Sequence, residues 1–526
     1  MLGKAFSLGS LKPKTQRRRR RWHWEAIADT KASGTVWRAG ASFGAKVVDI
    51  DHAMLEVLFT REASPVKKKG SKSRLVPGMQ PVPMGEGTLR LLGGPGKGKG
   101  KGDKGAVVVL LDVKKASNIE ITLSHLTRES GREPEDIVAA INRLDTHTLA
   151  EGAGEQQTAK ASRDVLEDAA EAIDRLLKVL PSDEECNGVV AWVKEREGEG
   201  FADGPTGEGK GFDAKSELGV AERFCLAAHT IVGSAKRLQD KLRATRFKLE
   251  FDIVQDLVFD KMHAVTKGCE EVLASKGVAT LMNLLLDLGN ALNSNGRNRT
   301  AKGFTLDSLA KLRETRSFNG KTTALHYLVA IIEKHMLLAT TIQTGAGGEG
   351  EGDLKGAGKG EGEEASRADA DGQDQVLVNR ATKAESLFSI THELPSLAAA
   401  KRIAAADVLE LIVEMKRGQD VLGSEMQKMG ADESGDLQGG LESFISYVSD
   451  SIAEVDRRYD AMTALMREVG VLFAHDTTSS LGLTKEPALL FNMLWDFLNA
   501  LSFARKMERH KVDLCHRATG GGVTRP

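Results

Sequence analysis

Gly93 to Gly100 reads GGPGKGKG, which has the spacing of a phosphate-binding loop as far as Lys99. Such a loop cradles phosphates on backbone N–H groups, and a Ser or Thr after the lysine holds magnesium. Gly100 stands in that place here, and lysine–glycine alternation runs on to Lys104, so the stretch reads as low-complexity linker. The twelve histidines include no His-Glu-x-x-His pair. His326 lies between apolar neighbours on a helical pattern, the setting of a packed core or interface histidine. The four cysteines, Cys186, Cys225, Cys269 and Cys515, lie far apart with no Cys-x-x-Cys pair. That argues against a zinc ribbon or disulfide scaffold and suits a reducing compartment. No Gly-x-Ser-x-Gly elbow is present, and no nucleophile, base and orienting group assemble. The sequence calls for no enzyme activity, no metal and no cofactor.

The elements behind these residues are helices. Hydrophobic residues make 41% of the 526 and aromatics only 5%, a poor supply for sheets, and no apolar run reaches the length of a membrane span. Fifty-five glycines concentrate in three tracts, Gly93–Gly105, Gly198–Gly211 and Gly345–Gly362. Such tracts cannot offset their ordering entropy by burial and read as flexible insertions. Ala106 to Val113, AVVVLLDV, is the one strand-like run, and periodicity does not settle it. Leu441, Ile445, Val448, Ile452, Val455, Tyr459, Met462, Met466 and Val469 step by four and three, a heptad stripe that reads first as a long helix in its own subunit's bundle and second as an intermolecular coiled coil. Further helices are predicted over Ala159–Leu180, stopped by Pro181, over Leu218–Leu242, and from Pro395 to about Met429. The first residues lack a sustained apolar core, so no secretory leader is expected, while the absence of acids before Glu25 leaves organelle targeting open.

The most informative block is Leu281 to Leu328, where an apolar helix meets Gly289-Asn290-x-x-Asn293, then Gly303-Phe304, then a second apolar helix. Asn290 and Asn293 are poor helix-interior residues because their amides compete for backbone partners, and Gly289 removes a side chain where a ring or backbone could approach. The block resembles the signature of the formin-homology-two domain, the actin-nucleating module of formins: Gly-Asn-x-Met-Asn, small-Gly-Phe, Leu-x-x-Leu-x-Lys-Leu, Leu-His-Tyr/Phe-Leu. The likeness extends in family order over roughly residues 11 to 510. It takes in Trp22-His23-Trp24, Val36-Trp37 and Leu55–Phe59, then Asp112–Leu123, Leu177–Glu185, Ala221–Phe224 with Arg237 and Leu238, and Glu393–Ser396.

The resemblance implies an all-α, elongated fold divided into lasso, linker, knob, coiled coil and post. On this chain that gives a disordered basic lead-in at 1–21, a lasso-like arm at 22–62 and a basic linker at 63–105. A helical body follows at 106–515, with insertions near 198–211 and 345–372, and a disordered tail at 516–526. It implies a head-to-tail homodimer in which each lasso, anchored by Trp24 and Trp37, wraps the partner's post at Gly289, Asn290, Asn293, Gly303 and Phe304. Packing of the two tryptophans on their own subunit is the alternative. Actin contacts carried over from the family fall on Ile119 and Lys311, widened by Lys114, Lys115, Arg313 and Arg316. Ile119 shares a helical face with Leu123, which also suits core packing.

On this resemblance the chain nucleates actin filaments and stays on the barbed end, in the cytoplasm and cytoskeleton, by capping or processive elongation. Ala291 and Leu292 replace the Tyr or Met often found in the signature, and the 12 prolines form no polyproline tract, so profilin recruitment is not expected. The linker has an end-to-end distance on the order of 35 Å as a coil and about 145 Å extended, so its length permits lasso exchange without compelling it. Its lysines suit a solvated tether or an electrostatic track on an acidic filament, and Arg17 to Arg21 suit anionic-lipid or nucleic-acid contact. The alternatives are a helical scaffold that does not bind actin and a basic nucleic-acid or membrane-surface binder.

Overall fold

The computed structural model describes residues 17–37, 47–62, 110–127, 131–150, 159–199, 214–294, 300–343, 378–428, 435–475 and 480–519. The three glycine tracts, apart from the helical residues 198 and 199, lie outside them, as do the linker and the first half of the strand-like run. In chain order the main elements are β1 (Arg17–Arg19), α1 (His52–Phe59), β2 (Thr60–Glu62), α2 (Val113–Thr127), α3 (Pro134–Arg143), α4 (Ala159–Lys178) and α5 (Asp183–Glu199). There follow α6 (Val220–Ala227), α7 (Ala235–Ala274), α8 (Lys276–Asn293), α9 (Ser308–Glu314), α10 (Ala324–Gln343), α11 (Ala405–Lys428), α12 (Gly435–Leu472) and α13 (Ser480–Thr519). The fold is all-α. Its one described sheet is the β1–β2 pair, antiparallel, with Arg17 opposite Glu62 and Arg19 opposite Thr60.

Two compact units form, with boundaries inside α7, α11 and α12. In the unit of residues 67–256 and 413–452, the core is built where α2, α4, α5 and α6 meet. Ile119 and Leu123 from α2 join Ile137 and Ile141 from α3, Ile173 from α4 and Phe224 from α6. Local signals set these helices. Asp112 accepts from the N–H groups of Lys114 and Lys115 at the start of α2. Pro134 occupies the first turn of α3, whose Glu133 and Asp136 form a reciprocal capping box. The far end of α3 is closed by Leu144 in the left-handed region, and Lys241 and Lys248 donate to the carbonyls of Asn142 and Leu144.

The other unit comprises residues 1–66, 257–412 and 453–526. Its centre is α8, started by Ser275, which accepts from Val278 N–H, and buried along Leu281, Leu285, Leu288 and Leu292. α13 lies along α10 and α9.

Several boundaries depart from the sequence reading. The predicted helix over Leu218–Leu242 is broken: α6 widens into a π-turn at Ala228–Val232, and Gly233 at φ 97° ends it before α7 begins. The helix expected from Pro395 is a short turn at Leu397–Ala400 followed by α11. Residues 17–19 of the lead-in, expected to be disordered, are paired in β1, and α13 runs to Thr519, into the tail expected to be disordered. The heptad stripe packs within its own chain, with Leu441, Val448, Val455, Met462, Met466 and Val469 all buried.

Candidate functional site: the seat of the N-terminal arm

The arm, residues 17–37 and 47–62, lies on the unit centred on α8. Extended backbone sends alternate side chains to opposite faces, so Trp22 and Trp24 share one face and His23 is exposed on the other. Asn293, in the last turn of α8, grips the strand of the arm from both sides. Its Oδ1 accepts from Trp22 N–H at 3.0 Å and its Nδ2 donates to Trp22 O at 2.9 Å. Trp22 is 1% exposed, and its indole Nε1 donates to Ser308 O at 2.9 Å. Ser308 also accepts Glu25 N–H through its hydroxyl at 2.9 Å. The arm then runs antiparallel to residues 303–305: Ile27 N–H donates to Gly303 O and Thr305 N–H to Glu25 O.

Phe304 is the hub. Its ring centroid lies 5.1 Å from Trp22, 5.4 Å from Trp24 in a stacked arrangement, and 5.1 Å from Trp37 edge-on. Three indoles around one phenyl ring bury a large apolar area at low side-chain entropy cost. The two glycines of the block make room for them. A Cβ on Gly289 would stand 2.6 Å from Trp24 Cη2, and one on Gly303 would stand 2.9 Å from Trp37 Cε3. Any side chain at either position would overlap the arm.

The chain matches the family model of the Formin Homology 2 Domain over residues 9–502. It belongs to that family. Similar proteins include human Protein diaphanous homolog 3, 32% identical over 43% of this chain and 15% of the relative. Arabidopsis thaliana Formin-like protein 13 is 27% identical over 61% of this chain and 20% of the relative. Protein diaphanous of Drosophila melanogaster is 41% identical over 20% of this chain and 9% of the relative. The chain thus spans a fifth or less of the length of these formins.

A second anchorage holds the return of the arm in this formin domain. Phe59 from α1 packs edge-on against Tyr327, whose hydroxyl donates to Asp51 O at 2.9 Å. Burial pushes the Tyr327 phenol up. Asp51 caps α1 by accepting from Met54 N–H and pairs with Lys334 at 3.0 Å; those two partners hold its carboxyl below the usual range. Phe318 N–H donates to Leu58 O, and the Arg20 guanidinium lies 4.9 Å over the Phe318 ring. Thr323 caps α10 by accepting His326 N–H at 3.3 Å, its hydroxyl also lies 2.6 Å from His326 Nδ1, and burial lowers the His326 pKa.

Of the residues expected at the dock, Gly289, Asn293, Gly303 and Phe304 face the arm's tryptophans or backbone. Asn290 does not clasp the arm. It accepts from Ala301 N–H at 2.9 Å and donates to Ala301 O at 3.0 Å, pinning the segment that leads to Gly303. Trp22, the most buried of the three indoles, and Ser308 were not among the expected site residues. The alternation Trp22-His23-Trp24 was the signal that could have found Trp22.

The expected actin-contact residues divide between the two units. Lys311, Arg313 and Arg316 are exposed on and just after α9, and Arg316 donates to Gly320 O. Lys114 is exposed; Lys115 is half-buried and paired with Glu185 at 2.5 Å. Ile119 corrects the sequence reading. It is 0% exposed in the core with Leu123, Ile137 and Phe224, so it has no surface to offer a partner. Two residues on, Ile121 is 58% exposed, and Val113, at the start of the same helix, is 70% exposed.

Proposed function

We propose that this chain is a formin-type actin-assembly factor that nucleates filaments and remains at the barbed end. The observation that carries the reading is the match to the Formin Homology 2 Domain along residues 9–502, whose signature residues build the arm's seat. Ile121, with Val113 beside Lys114, supplies an apolar contact on α2, and Lys311 with Arg313 supplies a cationic one on α9. Seating a half-exposed isoleucine in a cleft contributes about 1–2 kcal/mol, up to some thirtyfold in affinity, and the cations add steering.

In this reading two copies exchange arms. The groups that seat the arm on its own chain would seat a partner's identically, since the contacts do not depend on which copy supplies Trp22, Trp24 and Trp37. Four actin contacts, two per copy, then hold subunits in filament geometry and relieve the entropy cost of a nucleus. At the growing end, a released half stays at high effective concentration beside its next site. The place of action is the cytoplasmic actin cytoskeleton.

The test is fluorescent actin assembly with the wild type, Ile121→Asp and Lys311→Asp, together with light scattering of each. The wild type should shorten the lag as a dimer, and both variants should lose that effect while remaining dimers. A monomeric wild type without effect on actin assembly would overturn the reading.

A further inference from the structure

A cleft of about 460 Å³ lies between residues 388–392 and the middle of α13, within the unit centred on α8. Neither the arm's seat nor the proposed actin contacts use it. Its walls carry Arg505, Lys506 and Arg509 from α13 and His392 from the turn at Ile390–Glu393, together with the rings of Phe388 and Trp495. None of the nine described residues that line it is acidic. The cations are held in place. The Arg505 guanidinium lies 4.0 Å over the Phe388 ring, and Lys401 adds a further charge 5.4 Å over Trp495. Arg505 and Arg509 both reach Glu333 of α10, at 3.4 and 3.0 Å, so one carboxylate answers two guanidiniums. Burial, and after it the like charge of Arg509, lowers the Arg505 pKa although Glu333 opposes them. Arg509 and Lys506 still turn toward solvent. The cleft therefore carries surplus positive charge in a fixed arrangement, which suits a partner bearing several closely spaced anions.

We propose that the acidic stretch 361–374 of this same chain docks in the cleft, its carboxylates pairing with Arg505, Lys506 and Arg509. Residues 344–377 join α10 to a helical stretch over 378–386 and lie outside the described residues. Between 361 and 374 their sequence carries Glu361, Glu363, Glu364, Asp369, Asp371 and Asp374 against Arg367 alone. Both attachment points are near the cleft. Gln343 ends α10 ten residues beyond Glu333, and Phe388 follows the 378–386 helix, so each point lies about 15 Å from the cleft measured along its helix. A coil of this length spans about 30 Å on average, which brings the acids to the cleft without stretching. Tethering holds them there at an effective concentration on the order of millimolar, so weak charge pairing is enough. The linker at 63–105 is lysine-rich and is repelled by the same charges. Guanidiniums accept carboxylates in a fork and Lys506 pairs as a point charge, while Asn499 and Ser502 supply neutral hydrogen-bonding groups. The docked stretch screens the cleft, and any other polyanion has to displace it before binding.

The full-length chain is treated at low salt with a carbodiimide, which joins a lysine amine to a carboxylate with loss of water. The single-chain band of a denaturing gel is then digested and its peptides weighed. Lys506 should be joined to a carboxylate of residues 361–374. At about 1 M salt, where the Debye length is about 3 Å, the yield should fall several-fold. Arg509→Ser should lower the yield at Lys506 while the acids stay intact. Replacing the six acids by their amides should abolish the link, leave the melting point unchanged and tighten binding of synthetic polyglutamate several-fold. Lys506→Glu with Arg509→Glu should cancel that gain. Links from Lys506 to other acids only, links confined to doubled chains, a yield indifferent to salt, or equal polyglutamate binding by the wild type and the amide variant would each overturn the proposal. None of these readouts involves actin, so failure of the actin reading would leave them unmoved.

Discussion

Replacing Gly289 by alanine sets two effects of opposite sign against each other. Gly289 lies inside α8, and alanine in a helix interior is favoured over glycine by about 0.5–1 kcal/mol. The added methyl, however, would sit 2.6 Å from Trp24 Cη2, and overpacking of this kind costs typically about 1–3 kcal/mol. With the arm seated, Gly289→Ala should therefore weaken seating by up to about 2.5 kcal/mol. In a Trp24→Ala background the ring is gone, only the helix preference is left, and the same change should stabilise by about 0.5–1 kcal/mol. The coupling between the two positions is then about 1–3 kcal/mol, well above the additivity expected of independent sites. Urea unfolding of wild type, both single variants and the double variant gives the cycle, and hydrogen exchange at residues 20–27 reads the arm directly. If the effects of the two changes add to within about 0.5 kcal/mol, the glycine is not there to admit the indole, and the account of the seat fails.

Ile119→Ala and Ile121→Ala should part company: the first should destabilise the protein by about 2–5 kcal/mol, while the second should leave the melting point nearly unchanged and slow actin assembly. Calorimetry beside the assembly assay checks both. Asn293→Ala removes two hydrogen bonds to Trp22 and should raise hydrogen exchange at the arm by a factor corresponding to about 1–3 kcal/mol, whereas Asn290→Ala should loosen residues 300–303 first. Burial would raise the Glu135 carboxyl, but the Arg223 hydrogen bonds and charge outweigh it and hold it low. A carboxyl depressed in the folded state contributes stability that is present above its unfolded value, near 4.5, and is lost as pH falls through the folded one. Melting followed from pH 7 to pH 3 should therefore drop below about pH 4.5, and Glu135→Gln should flatten that part of the curve.

The helical class was legible because it rests on local rules, while the dock residues were expected from the family resemblance, beside local oddities that point the same way. Asn293 stands where an amide is wrong for a helix interior, Gly289 where a side chain is missing, and Phe304 follows a glycine; each oddity marks a contact. Ile119 was misread for the opposite reason. Two isoleucines two residues apart on a helix point about 200° apart, so one faces the core and the other solvent, and local sequence does not say which. The break at Gly233 was missed because the apolar spacing continues across it while the backbone does not. Asn290 looked equivalent to Asn293, but only the packed structure shows that one serves the chain's own connection and the other the arm.

The β1–β2 ribbon brings residue 17 opposite residue 62, so the arm leaves and returns at a single spot on the surface. A load that pulls these two ends apart acts on the hydrogen bonds in series, beginning with the pair at Arg17 and Glu62, rather than on all of them at once. Tension between the sequence ahead of residue 17 and that beyond residue 62 would therefore open the ribbon like a zip, while the indoles around Phe304 lie deeper along the arm and feel the pull only after that.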